Sequence, residues 1–140
     1  MTTTDRSIAR RVLIVDDEPV NRMVLGRMLE HFGVHPSEAA SGLEALELLG
    51  TEAFDLILMD IHMPVMTGIQ TVERLRATCG PNRDTPVVAV TGDTTRELHE
   101  YLAAGFDGYA NKPISLALVK SMLNAGRQAD AAQAPRAAHG

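Results

Sequence analysis

Hydrophobic and polar positions alternate along this chain in blocks. Val12 to Val15, Leu56 to Met59 and Val87 to Val90 are short, apolar at every position and rich in β-branched residues. That pattern predicts central parallel strands buried on both faces. A weaker edge strand is expected over Val34 to Ala39, and a short one over Gly108 to Ala110. Between them lie amphipathic segments. Pro19 suits the first turn of a helix whose apolar face would comprise Val20, Val24, Leu25, Met28, Leu29 and Phe32, with Gly33 as its cap. Three further helix starts match the capping box, in which a hydroxyl and a side chain three residues on satisfy orphan backbone N–H groups. These are Ser41 to Glu44, Thr67 to Gln70 and Thr94 to Glu97. Leu118, Val119, Met122 and Leu123 recur at helical spacing in a last helix over Leu116 to Asn124.

Five βα units follow from this reading. Strict alternation implies a doubly wound parallel sheet with right-handed crossovers and helices on both faces. The expected fold class is therefore α/β, a flavodoxin-like (βα)5 arrangement with strand order 2-1-3-4-5. Residues 11–126 are expected to form the one domain. Residues 1–10 read as a flexible N-terminus and residues 127–140, rich in Ala, Gln, Pro and Arg without apolar periodicity, as a disordered tail.

Composition narrows the function. With 13 Lys and Arg against 18 Asp and Glu, the net charge is -5 and no basic block exists, so direct nucleic-acid binding is not expected. A single cysteine, Cys79, rules out an intramolecular disulfide framework and suits the cytoplasm. The start of the chain lacks the apolar stretch of a signal peptide, and no run is long enough to span a bilayer. The five His are scattered without metal-ligand spacing, so no zinc site is expected.

In an open α/β sheet the ligand site lies beyond the carboxyl ends of the strands. Asp16 and Asp17 follow the first strand, Asp60 the third, Thr91 the fourth and Lys112 with Pro113 the fifth. Taken singly, each has a plainer explanation: Asp16 or Asp17 as a helix cap, Asp60 as a turn residue before Pro64, Thr91 as a hydroxyl opening a helix, Lys112 as a solvated cation. Their convergence on one rim outweighs those explanations. Three carboxylates there would repel one another unless a hard divalent cation joined them, and Mg2+ prefers such oxygen ligands together with water and a phosphate oxygen. A lysine and a hydroxyl beside that cation make a phosphoryl site, with Asp60, central in the group, as the nucleophile that forms an acyl phosphate.

The stretches Val12 to Glu18, Leu58 to Gly68, Val90 to Gly92 and Gly108 to Pro113 resemble the four signature regions of response-regulator receiver domains, over roughly Arg11 to Ala125. The resemblance implies that Asp16, Asp17 and the main-chain carbonyl of His62 hold Mg2+ with Asp60, which accepts the phosphoryl group. It further implies that Thr91 and Lys112 bind the phosphoryl oxygens, that Tyr109 swings inward as Thr91 moves, and that the Lys112–Pro113 bond is cis. Gly92 stands where Ala is common, leaving more room for the Tyr109 ring. His62 and Asp93 occupy positions that tune acyl-phosphate lifetime in the family.

The expected function is thus a single-domain response regulator, phosphorylated by a histidine kinase or histidine phosphotransfer protein and itself no enzyme beyond slow self-dephosphorylation. Met1 and the short tail favour the stand-alone form, and Pro19 to Arg22 with Asp60 to Pro64 resemble receivers attached to hybrid histidine kinases, the second use considered. Its partner surface is expected on the face formed by the fourth helix, fifth strand and fifth helix, around Arg96, Tyr101 and Tyr109. The rival is a dehalogenase-like phosphohydrolase. Such enzymes place a second Asp two residues after the nucleophile, and here that position is His62.

Overall fold

A computed structural model describes residues 9–127. Of the expected tail at 127–140, Arg127 closes the last helix, while residues 128–140 and the first eight residues lie outside the described residues. Ala9 is fully buried, and its N–H donates to the Leu123 carbonyl at 2.9 Å, so the packed domain begins two residues before the expected boundary.

The elements run β1 (Val12–Val15), α1 (Pro19–His31), β2 (Ser37–Ala39), α2 (Gly42–Leu49), β3 (Leu56–Met59), α3 (Gly68–Ala77), β4 (Val87–Thr91), α4 (Leu98–Ala104), β5 (Gly108–Asn111) and α5 (Leu116–Arg127). All pairings are parallel and the order is β2-β1-β3-β4-β5, the expected flavodoxin-like topology. Successive strand residues point to opposite faces, which divides the core into two layers. Leu13, Val15, Ile57, Met59, Val87, Ala89 and Tyr109 join residues of α2, α3 and α4. Val12, Ile14, Leu56, Leu58, Val88, Val90 and Ala110 join α1 and α5. This is why the three central runs carry no polar position.

Two local expectations need correction. Leu25 and Leu29 are buried in α1, but Val20 and Val24 are 63% and 49% exposed. The inward stripe is carried instead by Leu25, Met28, Leu29 and Phe32, and Val20 and Val24 lie around the helix from it. α4 begins at Leu98, not Thr94, because Asp93 captures the segment: its carboxylate accepts from the N–H and hydroxyl of Thr95 at 2.8 and 2.5 Å. The first turn of α4 is closed by Glu100, which accepts from the Glu97 N–H at 2.7 Å. The box at Thr67 and Gln70 is reciprocal. At Ser41 the hydroxyl accepts from Glu44 N–H while the Glu44 carboxylate reaches one residue further, to Ala40 N–H.

Two polar knots tie the end of the sheet away from the strand carboxyl ends. Asn82, fully buried, accepts from Phe54 N–H and the Thr85 hydroxyl and donates to the carbonyls of Leu49 and Glu52. Arg76 donates to the carbonyls of Gly105, Arg83 and Thr85 and pairs with Asp107 at 3.0 Å. Asp107 in turn accepts from the Val87 N–H at the start of β4.

In the β3–α3 loop, Val65 holds a φ of 68° although it is β-branched, and its side chain is 95% exposed. The left-handed conformation strains such a residue, and burial returns nothing here. Val65→Gly is expected to gain about 0.5–1 kcal/mol, the relief of that strain less the entropy of a freer unfolded chain. A urea midpoint no higher than that of the parent protein would refute this.

Candidate functional site

The site is assembled by strand ends. The Asp60 N–H donates to Val15 O at 2.8 Å, extending the β1–β3 ladder by one residue and setting Asp60 beside Asp16. Lys112 N–H donates to Thr91 O at 2.8 Å, doing the same for β4 and β5. Carboxylate oxygens of Asp16, Asp17 and Asp60 lie within 4.8 Å of one another. Lys112 Nζ stands 3.5 Å from Asp16 and 3.9 Å from Asp60, and the Lys112–Pro113 bond is cis.

Asp16 and Asp60 are both buried. Burial pushes the Asp60 carboxyl above the ordinary carboxylate range, and the Asp16 charge pushes it further. Lys112 and the Ile61 N–H pull it down without cancelling the rise, and Asp17 adds to the rise. Such a cluster is short of positive charge. Its donors are oxygens held on rigid strand ends, a set that fits a hard divalent cation. One oxygen of Asp16 accepts from the Glu18 N–H at 2.9 Å, but the cap position of α1 is Glu18 itself, so the plainer reading of Asp16 as a helix cap does not hold, and its other oxygen is turned to Lys112.

Thr91 is fully buried at the end of β4, and its hydroxyl accepts from the Asp93 N–H at 3.0 Å. Tyr109 is turned inward, 9% exposed, and stacks on Tyr101 with ring centroids 4.9 Å apart. Tyr101 itself is fully buried, which removes it from any surface for a partner in this state.

Three features escaped the sequence reading. The exposed His62 ring meets Asp93 at 3.0 Å, joining the β3–α3 and β4–α4 loops across the mouth of the site. Bonds from the Thr95 hydroxyl and N–H, then from His62, hold the Asp93 carboxyl down at about 2. No sequence signal pairs residues on two separate loops. Gly68 lies directly against the backbone of Asp60 and Ile61, where a Cβ would overlap the Asp60 carbonyl. Its position at the first turn of α3, beside the capping Thr67, was the available sign. Finally, Val24, Leu25, Met28, Leu58, Val90 and Ile114 line a cavity of about 310 Å³ that Asp60 and Lys112 also border.

Comparison with known proteins places these residues in a family setting. Residues 12–124 match the model of the response regulator receiver domain. The chain is 37% identical over 117 residues to hybrid signal transduction histidine kinase G of Dictyostelium discoideum, covering 81% of this chain and 3% of that protein. It is 39% identical over 112 residues to the sensor histidine kinase GacS of Pseudomonas protegens, covering 78% and 12%. The chain thus spans a small part of these curated relatives. Among solved structures it resembles the receiver domain of the sensor histidine kinase PA1611 of Pseudomonas aeruginosa, which has a magnesium ion coordinated in its active-site cleft. The TM-score is 0.77 with 30% identity, over 85% of this chain and 98% of that one. It also resembles the chemotaxis response regulator CheY4 of Vibrio cholerae, with TM-score 0.71 and 29% identity over 89% and 98%. A match that runs from the first strand into the last helix places this chain in the response regulator receiver domain family, the phosphoacceptor signalling domains of two-component systems.

Proposed function

We propose that this chain is a single-domain response regulator in which Asp60 takes a phosphoryl group from a phosphohistidine in a Mg2+-dependent reaction. The donor would be a histidine kinase or a histidine phosphotransfer protein. The observation that carries the reading is the cluster of Asp16, Asp17 and Asp60 with Lys112 Nζ reaching two of the three.

An Asp60 carboxylate oxygen attacks phosphorus, the P–N bond breaks with its electron pair passing to the imidazole, and an acyl phosphate remains. Asp16, Asp17, Asp60 and the main-chain carbonyl of His62 would hold Mg2+, whose positive charge would offset the negative charge of the phosphoryl oxygens. Lys112 supplies a second positive charge from the carboxyl end of β5, and the Thr91 hydroxyl donates to a phosphoryl oxygen once it leaves the Asp93 N–H. The product adds about -1.5 to -2 charges at the strand ends, drawing Thr91 and Lys112 inward. That shift biases the β4–α4 loop and the face of α4, β5 and α5, where Leu102 and Leu116 are exposed to a downstream protein. Self-dephosphorylation is slow, with the paired His62 and Asp93 standing over the approach for water.

Among the described residues no helix is long and apolar enough to cross a membrane, in keeping with a place in the cytoplasm. The hybrid kinase relatives support a second reading, in which the same sequence works as a segment of a larger protein. An immunoblot of source cells separates the two, by a band near 15.1 kDa or a far larger one.

The test of the chemistry is intact mass after incubation with acetyl phosphate. One phosphoryl adduct is expected with Mg2+, none with a chelator, and none in Asp60→Asn under either condition. An adduct that survives in Asp60→Asn, or that forms equally without Mg2+, would sink the proposal. Rapid hydrolysis is covered by beryllofluoride, a stable mimic whose binding would perturb the amide spectrum of the parent protein and leave that of Asp60→Asn unchanged.

A further inference from the structure

Arg22 closes the first turn of α1, where the positive end of the helix dipole disfavours a cation and no acidic residue answers it within the turn. Its side chain is only 17% exposed and is held at two points: Nε donates to Glu38 Oε1 at 2.9 Å, and Nη1 donates to the Asp16 main-chain carbonyl at 2.7 Å. The second bond is the informative one. Asp16 N–H donates to Ala39 O at 3.1 Å, which continues the β1–β2 ladder one residue past β1. In an extended strand the N–H and C=O of one residue point to the same side, and β2 ends at Ala39. The Asp16 carbonyl therefore turns toward a strand that has stopped. The Arg22 guanidinium, anchored on Glu38 of β2, takes the place of the missing N–H.

That carbonyl belongs to the planar peptide joining Asp16 to Asp17. Fixing its oxygen fixes the direction in which the chain enters Asp17, whose carboxylate lies within 4.8 Å of those of Asp16 and Asp60. We propose that Arg22 is a positioning residue for the divalent cation: a two-pronged brace from β2 to the Asp16 carbonyl that holds the Asp16–Asp17 pair in register with Asp60. The inference rests on the metal reading of Asp16, Asp17 and Asp60 given above. A guanidinium suits the task because its donors are fixed in one plane, so a single group spans both oxygens. Its charge alone would act the other way, since a cation beside three carboxylates repels a divalent ion. Positioning and charge therefore predict opposite signs when the side chain is removed.

The test is binding of Mn2+ to the full-length protein, followed by the paramagnetic resonance of the free ion, because Mn2+ takes the same oxygen ligands as Mg2+. Arg22→Met keeps the apolar stem of the side chain and loses both bonds. Its Kd for Mn2+ is expected to rise about tenfold, the lower end of the effect of removing a group that orients metal ligands. Arg22→Lys keeps the charge without the fork, and its Kd is expected to rise by a smaller factor. The half-saturating Mg2+ concentration for phosphorylation by acetyl phosphate should move with the Kd in both variants. A brace of the scaffold alone would lower the urea midpoint and leave the Kd of the folded protein unchanged, whereas the charge alone would make Arg22→Met bind more tightly. Either variant binding Mn2+ at least as tightly as the parent protein overturns the inference and leaves Asp60 as the acceptor. Failure of the parent protein to bind Mn2+, or an Asp17→Asn variant that binds it as well as the parent, overturns the metal reading and this inference with it.

Discussion

Gly68→Ala is expected to lose about 2–3 kcal/mol of stability, the usual range for forcing extra atoms into a packed site. The new Cβ would overlap the Asp60 carbonyl and come within 3.0 Å of Ile61 Cα, so the obstacle is main chain with no rotamer to yield. Gly68 N–H also donates to Ile61 O at 2.9 Å, and that bond fastens α3 under the acceptor. Pushing α3 away should move Asp60 itself. Phosphorylation from acetyl phosphate is expected to slow at least about tenfold, since displacements on the order of 1 Å are enough to cost that much. Urea unfolding gives the first number and time-resolved intact mass the second. Stability lost without any slowing would mean that the acceptor is held by β3 alone.

A larger stability loss, about 3–5 kcal/mol, is expected for Asn82→Ala, because several buried groups lose their partner together and each costs about 1–3 kcal/mol. The groups are Phe54 N–H, the carbonyls of Leu49 and Glu52, and the Thr85 hydroxyl, which retains a weaker contact to Phe54 O at 3.4 Å. Asp60 lies at the other end of β3, so the fraction of protein still folded should accept a phosphoryl group at the parent rate. A urea midpoint close to that of the parent would show that water replaces the amide.

The contrast between these two residues also explains how much could be read in advance. Strands buried on both faces write themselves into sequence as unbroken apolar runs, and the residue after each run falls at the strand end. Asp16, Asp17, Asp60, Thr91 and Lys112 were legible for that reason. The start of α4 was not. Thr94 to Glu97 satisfies the spacing of a capping box, but the competing bonds from Thr95 to Asp93 depend on how the β4–α4 loop turns, which spacing does not encode. Val20 and Val24 misled in a similar way. Their hydrophobicity marks a helical face, yet burial is decided by what lies opposite, and Val24 borders the cavity beside Asp60 instead of the sheet. Tyr101 reversed its expected setting: an aromatic near the supposed partner surface lies under it, against Tyr109. Asn82 and Arg76, each bonded to groups more than 25 positions away, carry no local signature at all.

The knots at Asn82 and Arg76 divide the molecule unequally. One end of the sheet is cross-braced by side chains, while at the other the loops meet through contacts as light as that of an exposed histidine with Asp93. Such an arrangement separates inheritance of the scaffold from variation of the rim. Descendants of one ancestral gene can exchange the residues that surround the acceptor, and so change whom they answer and for how long, while the braced end continues to guarantee a foldable protein.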